Sequence, residues 1–82
     1  MSGRTVLVES FLQIIDDLIE HQQGVLLSLG RRFVPSVTLD DLMQPNDFPV
    51  LESNPLFRYE EGVLHGYQAM KAAINFQIHN KY

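Results

Sequence analysis

Two pairs, each of a carboxylate and an imidazole, are the residues whose types and spacing best fit a metal-binding or catalytic site. Asp17 lies four residues before His21, and Glu61 lies four residues before His65. On a helix, each pair would therefore sit one turn apart on one face. Helical bundles bind metals through carboxylates and histidines that project inward from facing helices, although di-iron bundles use a Glu-x-x-His spacing of three.

The surroundings of these pairs favour a surface role. Glu61 and His65 share a helical face with the polar residues Gln68 and Asn75, opposite a stripe of large apolar residues. Asp17 lies outside the apolar arc of its own helix. We therefore predict solvent-exposed pairs of side chains, with no metal site and no cofactor.

A second possible site, for a small molecule or a metal, would use His21, Gln22 and Tyr67 near the middle of two facing helices. Gln22 is the one polar residue on an apolar stripe, where such a residue commonly fixes register and partner number. We predict that it pairs across a two-fold axis or with Tyr67. No activated serine and no glycine-rich phosphate loop accompanies these residues, so the sequence predicts no catalytic residue and a protein that is not an enzyme.

Residues 5–33 are predicted to form one long amphipathic helix that begins with Thr5 as its N-cap. Further apolar residues widen both edges of the stripe, so the apolar arc exceeds the narrow seam of a two-stranded coiled coil. Such a helix needs at least two neighbours. The stripe itself consists of Val8, Phe11, Ile15, Leu18, Val25 and Leu29.

Residues 34–54 are predicted to form a structured connector. Thr38 and Asp41 have the spacing of a capping box, which predicts a short helix over 38–43. Residues 48–51 are predicted to be a short extended apolar segment. The connector is apolar enough to pack as a strap across the helices, and the alternative is a loop that binds a partner.

Asn54 followed by Pro55 predicts the start of a second helix over 55–79. Small residues recur along one flank of this helix at spacings of four, three and four. Glycine in a helix interior costs about 1 kcal/mol relative to alanine, so we interpret this flank as a place where another helix comes close. The large stripe comprises Leu56, Val63, Tyr67, Met70, Ile74 and Ile78, and the small one Gly62, Gly66, Ala69 and Ala73.

Composition narrows the class of protein. The 82 residues form one domain with a net charge of −4 and no basic run, which weighs against binding to nucleic acid or to a membrane surface. The chain has no cysteine, no signal-peptide pattern and no apolar stretch of membrane-spanning length. From these features we expect a cytoplasmic protein.

Two helices joined by a connector form a hairpin, which covers only one side of each apolar arc. We therefore predict an all-α fold in which two hairpins pair as a homodimeric four-helix bundle. The predicted function is that of a small interaction or adaptor protein. The alternatives are a bundle that binds a small molecule or metal, and a chaperone-like half-bundle that binds another protein's amphipathic helix. The predicted interface consists of Phe11, Ile15, Leu18, Gln22, Val25, Leu29, Gly62, Gly66, Tyr67, Ala69, Met70, Ala73 and Ile74.

Overall fold

The computed structural model describes residues 2–44 and 47–81, and the side chains of residues 6–44 and 47–79. Every element in this part of the chain is a helix, which confirms the prediction of an all-α protein. The elements are α1 (Ser2–Phe33), α2 (Leu39–Leu42), α3 (Pro49–Glu52) and α4 (Pro55–Lys81).

Helix α1 begins at Ser2, three residues before the predicted start. Thr5 therefore lies inside the helix instead of capping it, and its side chain is outside the described residues. The helix ends at Phe33, where the Val34 amide donates to the Gly30 carbonyl at 2.8 Å. Pro35 follows at once and cannot continue the helix.

Helices α1 and α4 lie side by side and run in opposite directions. The Lys71 ammonium is 2.6 Å from the Asp16 carboxylate, and further along the pair Gln22 bonds to Glu60. The molecule is a rod of 49 × 19 × 19 Å with a radius of gyration of 15.8 Å. A compact chain of this length would have a radius of about 12 Å.

The connector folds into two short helices. Thr38 and Asp41 form the predicted capping box at the start of α2, with each side chain accepting from the other residue's amide. The extended segment predicted for residues 48–51 is wrong, because Pro49 begins α3. Proline suits the first helical position, since its φ angle is already helical and its missing amide hydrogen is not needed there.

The buried core lies where the connector meets the two long helices. Leu51 and Phe57 are fully buried and pack with Val37 against residues of α1. Gly30 on α1 admits this packing, because a Cβ atom there would lie 3.1 Å from Leu42 Cδ2. Arg31 holds the start of the connector by donating from Nε to the Val37 carbonyl.

Helix α4 is rotated from its predicted orientation. The predicted core stripe is partly on the surface, with Leu56 51% and Met70 46% exposed. Phe57 and Leu64 are buried instead. The connector packs against these two side chains, and Gln68 and Asn75 of the predicted polar face are half-buried.

Candidate functional site

The connector covers one flank of the α1–α4 pair and leaves the other uncovered. On the covered flank, connector side chains such as Leu39 and Met43 line a pocket together with Arg58 and His65 of α4. Two further cavities are lined by α1 and α4 alone, with no connector residue. These cavities mark the flank from which the connector is absent.

An apolar trough of about 400 Å³ lies near the chain ends. Val8 and Phe11 of α1 form one wall, and the other wall belongs to α4. Only apolar atoms are exposed along this lining. The α4 wall includes Met70, Ala73, Ile74 and Ile78.

A more polar pocket of about 610 Å³ lies nearer the connector on the same flank. Glu20, Arg32 and Glu60 place charges around it, and His21 and Ser28 add further polar groups. We call this cavity the polar pocket.

Helical periodicity joins the two cavities into one surface. Phe11 lies in the trough, and the positions seven and fourteen residues later are Leu18 and Val25, the latter in the polar pocket. On α4, Leu56 in the polar pocket is fourteen residues before Met70 in the trough. Seven residues are close to two helical turns, so each series follows one side of its helix. We call this uncovered flank the open face.

The open face is strongly apolar towards the chain ends. Leu7, Phe11 and Ile14 are each more than half exposed there. Over all the side chains that the structure describes, twelve large hydrophobic residues are exposed and eight hydrophobic residues are buried. The fold therefore leaves more large apolar side chains in contact with water than it buries.

The structure separates the predicted interface residues into three groups. Ile15, Gln22 and Leu29 are buried between α1 and α4, so they are not available to a second chain. Another group is half-buried, and the largest group is exposed. The half-buried residues are Val25, Tyr67 and Ile74, and the exposed ones are Phe11, Leu18, Gly62, Gly66, Ala69, Met70 and Ala73.

Gln22 is satisfied within its own chain, contrary to the prediction. Its Nε2 donates to the Glu60 carboxylate at 2.7 Å and to the Glu60 carbonyl at 2.9 Å. Neither Tyr67 nor a two-fold partner is needed to satisfy this amide. The sequence analysis missed Glu60 because Glu60 and Tyr67 lie about two turns apart on the same side of α4, and the axial register of the two helices decides which of them faces Gln22.

The four small residues on α4 make no close helix crossing within the chain. Gly62, Gly66, Ala69 and Ala73 are exposed, and a Cβ atom on either glycine would have nothing within 4 Å. The glycine that does meet another segment closely is Gly30, which the sequence analysis passed over. In the sequence, the only sign of this close contact is the position of Gly30, one turn before the end of an apolar helix.

The carboxylate and imidazole pairs are not brought together as reactive units. Asp17 accepts a hydrogen bond from Gln13, and Glu61 pairs with Arg58 at 3.2 Å. Within the described residues, no three metal-ligating side chains are close enough together to hold an ion. Tyr67 is not part of the polar pocket that His21 lines.

Comparisons with known proteins add no relative. No protein family, no curated protein and no solved structure matches the chain. None of the helices, over the residues that the structure describes, combines the length and apolar character required to span a membrane.

Proposed function

We propose that this chain is a small helical interaction protein that works as a homodimer, binding without catalysis. In this proposal, two α1–α4 hairpins join through their open faces into a four-helix bundle. The observation that carries the proposal is the exposure of large apolar side chains along one flank, among them Leu7, Phe11 and Ile14.

The surface area supports the presence of a partner of ordinary interface size. The chain exposes 5770 Å², whereas a compact monomer of 9.4 kDa would expose about 5000 Å². The excess of about 800 Å² comes with the elongated shape of the chain, and a partner of standard interface size would cover an area of this order.

The absence of charge from the apolar trough supports a second copy as the partner. None of the side chains that line the trough is charged. Charged residues such as Glu9 and Asp16 line neither cavity. An isologous interface uses the same patch twice, so one uncharged trough can cover itself.

The open face also sets what such a dimer can do. Pairing would bury the apolar trough and leave the charged surface on the outside of the bundle exposed. The dimer could then bind other proteins through that outer surface and act as an adaptor. The rival occupant is an amphipathic helix from a different protein, which would use the same flank as a groove.

Sedimentation equilibrium of the untagged chain at micromolar concentration tests the proposal, and we expect a dimer. The decisive variant is Phe11→Glu, which places a charge on the open face at a position that is 59% exposed in the lone chain. The matched control is Val6→Glu, because Val6 is 58% exposed but lines neither cavity.

We expect Phe11→Glu to be monomeric and Val6→Glu to remain dimeric. A wild-type chain that is a well-behaved monomer with a cooperative unfolding transition would overturn the proposal. A chain that aggregates alone but becomes soluble with an added amphipathic helix would replace the homodimer by the rival occupant.

A further inference from the structure

The two cavities on the open face differ in polarity, and this difference restricts how two copies can pair. The trough has an apolar lining and lies towards the chain ends. The polar pocket has the charged residues Glu20, Arg32 and Glu60 around it and lies towards the connector. The open face is thus polarised along the rod.

Face-to-face pairing over the whole length of the rods allows two arrangements. If the two-fold axis runs along the rods, the copies point the same way and each α1 lies over the partner's α4 at the same height. If the axis lies across the rods, the copies point in opposite directions and each α1 lies over the partner's α1. The first arrangement places trough over trough, and the second places trough over polar pocket.

The cost of dehydrating charges separates the two arrangements. Covering Glu20, Arg32 and Glu60 with the apolar trough would remove water from these groups and supply no polar partner in return. An uncompensated buried charge is strongly unfavourable. The same-direction arrangement avoids this cost, because each polar pocket then faces the same pocket of the other copy instead of the apolar trough.

The axial positions of residues on α1 and α4 show which side chain of a second copy would enter the trough. Asp16 is level with Lys71 and Gln22 with Glu60, so the large side chain of Phe11 is level with residues 71–76 of α4, which include Ala73 in the opposite wall of the trough. In a same-direction dimer, Phe11 of one copy would meet this small residue of the other. A large side chain thus meets a small one at each of two symmetric places.

We infer that the homodimer is parallel, with the phenyl ring of Phe11 of each copy inserted between α1 and α4 of its partner, at the trough. This inference rests on the proposed homodimer and specifies the partner, its direction and the residue it contributes. In the single chain, Phe11 is 59% exposed, so much of its ring has no contact. The parallel dimer would supply that contact.

Spin-label distances test the direction, and the natural lack of cysteine makes single labels clean. His79→Cys labels the free end and Glu52→Cys the connector end, at exposed positions that line neither cavity. In a parallel dimer, both label pairs should be separated only by the bundle width, about 20–30 Å.

Antiparallel copies would place the labels near opposite ends of a rod 49 Å long, with both distances at about 40 Å or more. A dimer with both long distances would overturn the inference and leave the proposed function intact. A monomer by sedimentation, with no dipolar coupling at either site, would overturn the proposed function as well.

Disulfide trapping provides a second test of the Phe11 contact. Phe11→Cys chains mixed with Ala73→Cys chains should form an interchain disulfide under mild oxidation, because bonded cysteines need Cα atoms about 4.4–6.8 Å apart. The control mixture pairs Phe11→Cys with Val25→Cys, which reversed copies would bring together. Preferential trapping of the control pair would overturn the inference.

Discussion

The two ends of the rod are built from similar apolar sequences but reach different degrees of burial. At the connector end, Leu51 and Phe57 are fully buried among residues from all four helices. At the free end, Leu7 is 61% exposed although it belongs to an equally apolar part of α1. Hydrophobicity alone therefore does not decide which side chains form the core.

The difference arises from the number of layers. At the connector end, α2 and α3 add a third layer over α1 and α4, so Leu42 and Leu51 close the core. At the free end, two helices lie alone, and a pair of helices can cover only one side of each other. The free end is therefore the part of the chain where large apolar side chains stay exposed.

The largest effect is expected at the connector end, for Phe57→Ala. Phe57 is fully buried, and removing such a ring from a core costs about 3–5 kcal/mol. Urea unfolding followed by circular dichroism measures the change. Phe33→Ala is the control from the same end, because Phe33 is 41% exposed and should cost under about 1 kcal/mol. Equal losses would show that the connector end is not the folding core.

The next largest effect is expected on the open face, for Met70→Ala. Burial of Met70 by a second copy would contribute about 1 kcal/mol at each of two symmetric sites, so the variant should weaken dimerisation roughly 30-fold. Sedimentation velocity over a dilution series measures the dissociation constant. Met43→Ala is the control, because Met43 is similarly exposed but lies on the connector. The same weakening in both variants would move the interface away from the open face.

Replacing either of two glycines by alanine should change the free energy of unfolding by at most about 1 kcal/mol, and the two effects should differ. Gly62→Ala should stabilise the chain by about 0.5–1 kcal/mol, since alanine favours helix and a new Cβ meets nothing within 4 Å. Gly30→Ala should gain nothing net, because its Cβ would lie 3.1 Å from Leu42 Cδ2 in the packed core. Thermal unfolding of both variants at one protein concentration measures the difference. A larger gain at Gly30 would mean that the core at the connector end is loosely packed.

Much of the backbone followed from local sequence rules. The capping box at Thr38 and Asp41 and the start of α4 at Asn54 depend on nearby residues only, and the Asn54 side chain accepts from the Phe57 amide at 2.9 Å as an N-cap should. Such signals are readable because the groups that satisfy each other are three residues apart.

The rotation of α4 could not be predicted in the same way. Its sequence offers two apolar arcs, one through Leu56 and Met70 and one through Phe57 and Leu64. The choice between them depends on where the connector packs, which is a tertiary contact. The error on Gln22 also arises from a tertiary feature, the axial register of α1 against α4, since Glu60 lies about two turns before Tyr67 on the same side of the helix.

The smallest effect is expected for Asp16→Asn, which removes the ion pair with Lys71. Both side chains are more than a third exposed, and exposed ion pairs contribute under about 1 kcal/mol. The loss should also shrink at high salt, because ions screen exposed charges. Urea unfolding at low and at 1 M salt measures both effects, with Asp17→Asn as the control that leaves the ion pair in place. A loss above about 2 kcal/mol that persists in salt would mean that water is excluded from this pair, so the covered surface of the assembly would have to extend beyond the open face.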